Sequence, residues 1–215
     1  MLQDICENSA VEAAPLLLGK LLCHLTPEGF TAGIIVETEA YCGPEDDAAH
    51  SFGGRRTVRT EAMFGPPGRA YVFPIYGMYH CFNVVTAPEG SPQAVLIRAL
   101  EPAGGTPLME KRRGLSDPLL LCSGPGKLCR AMAIGKAQYG LDLCGKELFL
   151  EEFRDFSPAE ICVSPRVNVD YAVEYRDRLW RFFVKDSPYV SKVPRRYASR
   201  VTLSRLKGDA EKVNR

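Results

Sequence analysis

One stretch of the chain carries carboxylates in a pattern that could support acid–base chemistry. Between Thr31 and Tyr41, apolar residues alternate with a second set that contains Glu37, Glu39 and Tyr41. A period of two is that of a β-strand, so these three side chains are predicted to share one face. A carboxylate at the end of a hydrophobic strand, beside an aromatic ring, can be partly desolvated and act as a general base. Taken alone, the pattern favours an ordinary exposed glutamate, so the candidacy of Glu39 needs support from other residues.

Three more acids follow the Gly43-Pro44 turn, namely Glu45, Asp46 and Asp47. Their density is compatible with a metal site, but acidic side chains in such a turn usually face water, and that is our expectation for all three. No C-x-x-C, H-x-E or H-E-x-x-H spacing occurs in the chain. We therefore predict neither a metal site nor a cofactor.

The segment from Tyr71 to Asn83 is dense in aromatic residues around Gly77. A hairpin is predicted here, with Tyr76 and Met78 at its tip, where large apolar side chains are hardest to bury. An exposed wedge that inserts between stacked bases fits this placement.

An apolar segment from Ala94 to Pro102 carries one charge in its middle, Arg98. A buried arginine requires a carboxylate or phosphate partner. The pattern does not distinguish a salt bridge to a nearby acid from a ligand contact.

The remaining elements predict the fold class. An N-terminal helix is expected within about 10–25, running toward a strand near Leu21, and further helices near Thr106–Arg113 and Gly126–Ile134. Besides the strand 31–41, short strands are expected at 69–75, 80–86, 94–100, 148–152, 161–169 and 179–185. Short, closely spaced strands favour an α+β single domain with a curved antiparallel sheet, open and barrel-like, surrounded by helices. We place this domain at residues 1–195, with a basic C-terminal tail at 196–215.

Charge and cysteine usage narrow the function classes. The formal net charge of +1 argues against a polycation that coats nucleic acid, but eight basic residues against two acids fall between Lys192 and Arg215. That run, and the Arg55, Arg56 and Arg59 cluster, is either solvated surface or a phosphate-facing surface. The eight cysteines are expected to be reduced and mostly buried. No apolar run approaches the roughly 20 residues that span a bilayer, so no membrane association is expected.

The segment Ser123-Gly124-Pro125-Gly126-Lys127 invites comparison with a phosphate-binding loop. Leu121 stands where the motif requires its first glycine and Leu128 where it requires serine or threonine, which disfavours nucleotide hydrolysis. A plain helix cap is the simpler interpretation, although backbone N–H groups there could also meet a DNA phosphate.

Together these segments resemble the alkyladenine (3-methyladenine) DNA glycosylase family. The resemblance rests on V-E-T-E-A-Y at 36–41, D-A-A-H-S at 47–51 where the family has E-A-A-H-S, Y-G-M-Y at 76–79, I-R-A-L-E-P at 97–102 and S-G-P-G-K-L at 123–128. The motifs occur in the family's order from about residue 9 to about residue 191. They are highly specific.

The resemblance implies a role for each matched position. Glu39 would activate a water that Arg98 and the carbonyl of Val167 help to hold. A flipped base would stack between Tyr41 and the side formed by His50 and Phe73. Asn83 would oppose the exocyclic amino groups of normal purines, and Leu96 would pack beneath the site. DNA would be contacted by Tyr76 as the wedge, Met78, Arg55, Arg56, Thr57 and Lys127.

Two departures from the family pattern concern substrate range and backbone shape. Phe73 stands where the mammalian members have tyrosine, and Asn168 stands where a glycine follows the water-holding valine. No lysine occupies a matched pocket position where a Schiff base with the sugar would form, so hydrolysis without strand cleavage is expected.

The expected protein is thus a DNA repair glycosylase that flips alkylated or deaminated purines out of double-stranded DNA and hydrolyses their bond to deoxyribose. We expect a monomer in the bacterial cytoplasm, acting on the nucleoid. Two other classes stay open at this stage. One is a nucleic-acid-binding module without catalysis, and the other is a carbohydrate glycosidase in which Glu37 is the second carboxylate.

Overall fold

The computed structural model describes residues 2–75, 77–193 and 200–205. Five α-helices are bounded in this part of the chain: α1 Leu2–Glu7, α2 Ala10–Leu16, α3 Thr106–Arg113, α4 Pro118–Leu121 and α5 Pro125–Met132. Nine strands are bounded in the same part: β1 Leu21–Thr26, β2 Gly29–Tyr41, β3 Ala70–Ile75, β4 Tyr79–Thr86, β5 Gln93–Gly104, β6 Leu148–Glu151, β7 Ile161–Ser164, β8 Arg181–Val184 and β9 Val201–Thr202.

The strands form one antiparallel sheet in the order β3-β4-β5-β2-β8-β7-β9, with β1 and β6 branching from β2. Its outer strands on this path, β3 and β9, do not pair with each other in the described residues, so the sheet is not closed into a barrel. This architecture confirms the predicted α+β class with an open antiparallel sheet.

Strand β2 is the centre of the sheet. Along one edge it pairs with β5, and along the other it pairs first with β1, through residues 29–34, and then with β8, through residues 37–39. Neighbours on both edges bury the strand, and Glu37 and Glu39 have no exposed surface. Shifts in the β2–β5 register on either side of Glu37 re-aim the side chains of this segment.

The main core lies between the sheet and the helices. It contains Leu17 and Leu22 near α2 and β1, Ile97 and Leu100 of β5, and Leu128 of α5, all without exposed surface. A hydrogen bond of 2.9 Å from the Thr38 hydroxyl to the Ala14 carbonyl ties α2 directly to β2.

Two predicted elements are shorter than expected. The N-terminal helix ends at Leu16, because Gly19 adopts a left-handed conformation with φ of 85° before β1 begins at Leu21. The strand predicted over 161–169 ends at Ser164, where Pro165 lacks the N–H that a continuing ladder requires. An irregular segment, Pro165 to Trp180, connects β7 to β8.

The expectation that the cysteines are reduced and mostly buried is confirmed. All eight cysteines are free thiols, and six of them are buried. Among the described residues, no helix combines the length and apolar composition needed to cross a bilayer. Two residues of the predicted tail, Val201–Thr202, form β9 against β7.

Two glycines at the ends of α3 give a test of backbone packing. Gly105 and Gly114 have nearly the same left-handed φ, 65° and 67°, but a Cβ on Gly105 would lie 2.0 Å from the Phe30 carbonyl oxygen, while Gly114 faces open space. We expect Gly114→Ala to lower the free energy of unfolding by about 1–2 kcal/mol, the cost of the conformation alone. For Gly105→Ala we expect roughly 3 kcal/mol or more, because backbone must move. Denaturant unfolding measures both, and equal losses would contradict the packing described.

Candidate active site

A cavity of about 230 Å³ opens where β3, β4 and β5 meet the 48–50 turn and the 165–180 segment. It gathers seven residues that the sequence singled out: Tyr41, His50, Phe73, Asn83, Leu96, Arg98 and Val167. These residues are spread over more than 120 positions of the chain, so their convergence is a property of the fold.

Glu39 lies directly behind the wall of this cavity. Its side chain has no exposed surface and is not part of the lining. One carboxylate oxygen accepts a hydrogen bond of 2.7 Å from the Val167 amide and lies 3.3 Å from Nη1 of Arg98. The other accepts a bond of 2.9 Å from the Tyr41 hydroxyl. Since all three partners line the cavity, the carboxylate is separated from it by one layer of side chains.

Arg98 is shared between two carboxylates. Its Nε donates to Glu37 at 2.8 Å, and its Nη1 lies 3.3 Å from Glu39. Burial alone would lower the pKa of Arg98, but the charges of Glu39 and Glu37 outweigh it and raise that pKa. The lone arginine of β5 is therefore a buried cation that two acids neutralise, and it also faces the cavity.

Glu37 has its own complete set of partners. Besides Arg98, it accepts from Nε of Arg181 at 2.7 Å and from the amide and hydroxyl of Ser191, both at 2.8 Å. Burial would raise its pKa, but the charges of the two arginines and the Ser191 bonds lower it overall. Glu37 does not line the cavity, and its contacts are those of an ion-pair centre within the sheet.

His50 is held as a neutral ring at the cavity mouth. Burial, assisted by the charge of Arg59, lowers its pKa from 6.5 to about 4. Nη2 of Arg59 lies 3.2 Å from Nε2 of His50. Because a guanidinium only donates, Nε2 must accept, and Nδ1 carries the proton toward the Tyr71 hydroxyl at 2.8 Å. The imidazole meets the Phe73 ring edge-on, with centroids 4.6 Å apart.

The floor of the cavity comes from paired positions on β4 and β5. Asn83 lies opposite Leu96 in the register, and its Nδ2 donates to the Tyr71 carbonyl at 2.9 Å. Tyr71 also lines the cavity and was not singled out from the sequence. Its position two residues before Phe73 on β3 places both on one face, so the period-two pattern contained this information.

The expectation that the acids after Gly43-Pro44 all face water is wrong for Asp46. Its side chain has no exposed surface and is paired with Arg166, whose Nη1 and Nη2 lie 2.5 and 2.8 Å from its two oxygens. The partner is 120 residues away in the chain, so turn chemistry alone could not reveal it. Asp47 is half-buried and accepts backbone N–H bonds from residues 173–175, while Glu45 is exposed.

Asn168 occupies a left-handed conformation at the cavity wall. Its φ is 61°, a value that glycine adopts freely and that asparagine tolerates better than most residues. The departure from glycine therefore preserves the backbone shape. Next to it, the Val167 amide binds Glu39; the water-holding role of the Val167 carbonyl stays a prediction.

The residues expected to contact DNA lie on exposed parts of the chain. Met78 is 74% exposed beside the Gly77 turn, and Lys127 is exposed in the first turn of α5. Arg55 and Thr57 line a second, open cavity of about 570 Å³ next to the first. Arg56 is also exposed but pairs with Glu61 at 2.6 Å. Tyr76 lies outside the described residues.

The sequence of this chain is similar to those of proteins named as DNA glycosylases. The family model described as methylpurine-DNA glycosylase matches residues 4–188. A protein of Desulfitobacterium hafniense named "Putative 3-methyladenine DNA glycosylase" is 52% identical over 197 residues, which are 88% of this chain and 97% of that protein. A protein of the same name from Bacillus cytotoxicus is 50% identical over 196 residues, which are 86% of this chain and 96% of that protein.

The match extends over nearly the whole described domain and includes the segments that build the cavity. The expected resemblance is confirmed. This chain belongs to the methylpurine-DNA glycosylase family.

Proposed function

We propose that the protein is a DNA base excision repair glycosylase that flips an alkylated or deaminated purine into the aromatic cavity and hydrolyses its N-glycosidic bond, with Glu39 as general base. Family membership makes the chain a DNA glycosylase, a hydrolase of N-glycosyl bonds. The observation that supports the finer proposal is a buried carboxylate one layer of side chains away from a small cavity, of about 230 Å³, with aromatic walls. Pockets that bind drug-sized ligands measure about 300–1,000 Å³ and are larger than this cavity, so a smaller ligand is expected here.

In the proposed reaction, the bond between the purine nitrogen and the anomeric carbon breaks as water attacks that carbon. The bonding electrons leave with the base, and the sugar acquires oxocarbenium character that a nearby carboxylate stabilises. Glu39 would accept a proton from the water, leaving an abasic site with a hydroxyl on the anomeric carbon. The Glu39 oxygen that accepts from the Tyr41 hydroxyl has a second lone pair, and the hydroxyl can turn about its own C–O bond, so water can bind this carboxylate while the Tyr41 ring stays in place.

The cavity walls suit a flipped purine. Tyr41 and Phe73 offer aromatic faces for stacking, which attract a base made cationic by alkylation at N3 or N7. Neutral lesions such as hypoxanthine or ethenoadenine stack on the same faces, but their departure also needs protonation. The Asn83 amide on the floor would oppose the exocyclic amino groups of normal purines.

Flipping a base costs a few kcal/mol, and less when the base is damaged or mispaired. Tyr76 is proposed to fill the gap that the base leaves, supported by Met78 at the exposed hairpin. The basic residues Arg55, Arg56 and Lys127, together with Thr57, would meet the phosphate backbone. Double-stranded DNA with a damaged purine is then the partner, and the protein would act as a monomer on the bacterial nucleoid.

Two further features favour simple hydrolysis over the other classes. None of the described residues that line the cavity is a lysine, so no Schiff base with the sugar is expected there. Glu37, the second carboxylate that a carbohydrate glycosidase would need, is fully occupied by its ion pairs and lies outside the cavity wall. A module that only binds nucleic acid has no need of a buried carboxylate at a cavity.

The reaction class is tested by incubating the protein with duplexes that contain hypoxanthine, ethenoadenine or methyladenine. We expect free base to be released, the strand to break only after alkali treatment, and borohydride to trap no covalent complex with DNA. A matched undamaged duplex is the control. Binding without base release would favour the non-catalytic module, and cleavage of an oligosaccharide instead would favour the carbohydrate glycosidase.

The protonation state of His50 gives a second prediction. Because burial and Arg59 both disfavour the imidazolium, we expect an NMR titration of the His50 ring to show a midpoint at about pH 4, below the usual 6.5. The signal is assigned by its loss in His50→Gln. Arg59→Gln removes the second cause and should raise the midpoint. A midpoint near 6.5 in the unmodified protein would contradict the neutral ring described here.

A further inference from the structure

A buried ion pair outside the catalytic cluster joins two segments that form the cavity wall. Neither Asp46 nor Arg166 has any exposed side-chain surface. The guanidinium contacts both Asp46 oxygens and also donates to the carbonyls of Ala40 at 2.9 Å and Tyr175 at 3.2 Å. Asp46 in turn accepts from the amides of Cys42 and Ala48 at 3.1 Å. The pair thus connects the end of β2, the turn that leads to His50, and the 165–180 segment.

Arg166 also supports the ring of Tyr41. Its guanidinium carbon lies 4.7 Å from the centroid of the Tyr41 ring and 5.0 Å from that of the Trp180 ring, over both aromatics. Tyr41 lines the cavity and Arg166 does not, so the guanidinium lies behind the ring. The ring therefore cannot retreat when a base stacks on its cavity face.

The same arginine sets the position of the next residue. Val167 follows Arg166 directly, and its amide donates to Glu39 at 2.7 Å. Any shift of Arg166 relative to β2 would move this amide along the Glu39 carboxylate. Through Tyr41 and Val167, the pair therefore affects both the ring on which a flipped purine would stack and the candidate general base, Glu39.

Stability alone does not account for this arrangement. Well-packed apolar side chains in place of a buried ion pair often stabilise a protein equally or better. Here the arrangement also leaves Nε of Arg166 buried with no hydrogen-bond partner among the described residues, which is unfavourable. An ion pair that is costly to bury and that contacts both the Tyr41 ring and the segment bearing Val167 indicates a positioning role.

We propose that the Asp46–Arg166 pair positions the active site, fixing the Tyr41 ring as a wall for the flipped base and the Val167 amide against Glu39. The proposal rests on the glycosylase function proposed above. Neither residue lines the cavity, so both act through their neighbours.

The test is the double variant Asp46→Leu/Arg166→Met, which replaces the pair by apolar side chains. Binding is measured to an ethenoadenine duplex and to a duplex with a stable abasic-site analogue, which places no base in the cavity. We expect the affinity for the ethenoadenine duplex to fall by about tenfold, because the flipped base loses part of the free energy of stacking on one aromatic ring. The affinity for the abasic duplex should be retained. Single-turnover excision should fall by about 10- to 100-fold, as expected for misplaced reacting groups.

A second variant and a control keep the result interpretable. Arg166→Lys keeps the charge but lacks the planar fork that contacts both Asp46 oxygens and lies over both rings, so a smaller loss of the same kind is expected. Lys20→Met removes an ion pair between a buried lysine and two exposed acids, Glu152 and Asp155, away from the cavity. We expect that control to lose stability without changing the ratio of the two affinities.

Three outcomes would overturn the proposal. They are a folded double variant with wild-type affinity ratio and excision rate, an equal loss of affinity for both duplexes, and failure of both Arg166 variants to fold, which would make the pair a requirement of the fold itself. A wild-type protein that releases no base would instead refute the proposed function, so the two failures are distinguishable.

Discussion

The site depends on how three charged side chains share the interior of the sheet. Burying a carboxylate with no exposed surface costs several kcal/mol unless it is paired and hydrogen-bonded. Arg98 meets this need for Glu37 and Glu39 at once, at 2.8 and 3.3 Å. Glu37 has Arg181 and Ser191 in addition, whereas the partners of Glu39 in the described part of the chain are the Tyr41 hydroxyl and the Val167 amide besides its share of Arg98. Of these partners, the tyrosine hydroxyl is the one whose hydrogen can turn away, by rotation about its own C–O bond with the ring in place.

The position of β2 makes this arrangement possible. With β5 on one edge and β1 and β8 on the other, its carboxylates are surrounded by ladder and core rather than by water. The cavity then forms where the regular sheet gives way to the 165–180 segment. Asp46 and Asp47 hold that segment through Arg166 and through the amides of residues 173–175. Rigid strands thus supply the polar groups, and a tethered irregular segment completes the wall.

Periodicity predicted most of the elements, because local pattern determines local structure. The strand bearing Glu39, the helix at Thr106–Arg113 and the antiparallel, open sheet all agree with the sequence interpretation. The partners of Arg98 could not be read from its own strand, since Glu37 and Glu39 are about 60 residues away. The burial of Asp46 was missed for the same reason, because a turn of Gly, Pro and acids looks solvated until its distant arginine is known. Long-range pairing is what the sequence pattern leaves out.

In this account Glu39 is the general base and Glu37 stabilises the buried arginines. The most direct test compares Glu39→Gln with Glu37→Gln, each measured for single-turnover base release and for denaturant unfolding. Loss of a general base lowers rates by about 10²- to 10⁴-fold, so Glu39→Gln should excise at least about 100-fold more slowly while still binding lesion-containing DNA. Removing Glu37 leaves buried arginine charge without its partner, so Glu37→Gln should show the larger loss of stability, about 3–5 kcal/mol. Wild-type base release by Glu39→Gln would contradict the account.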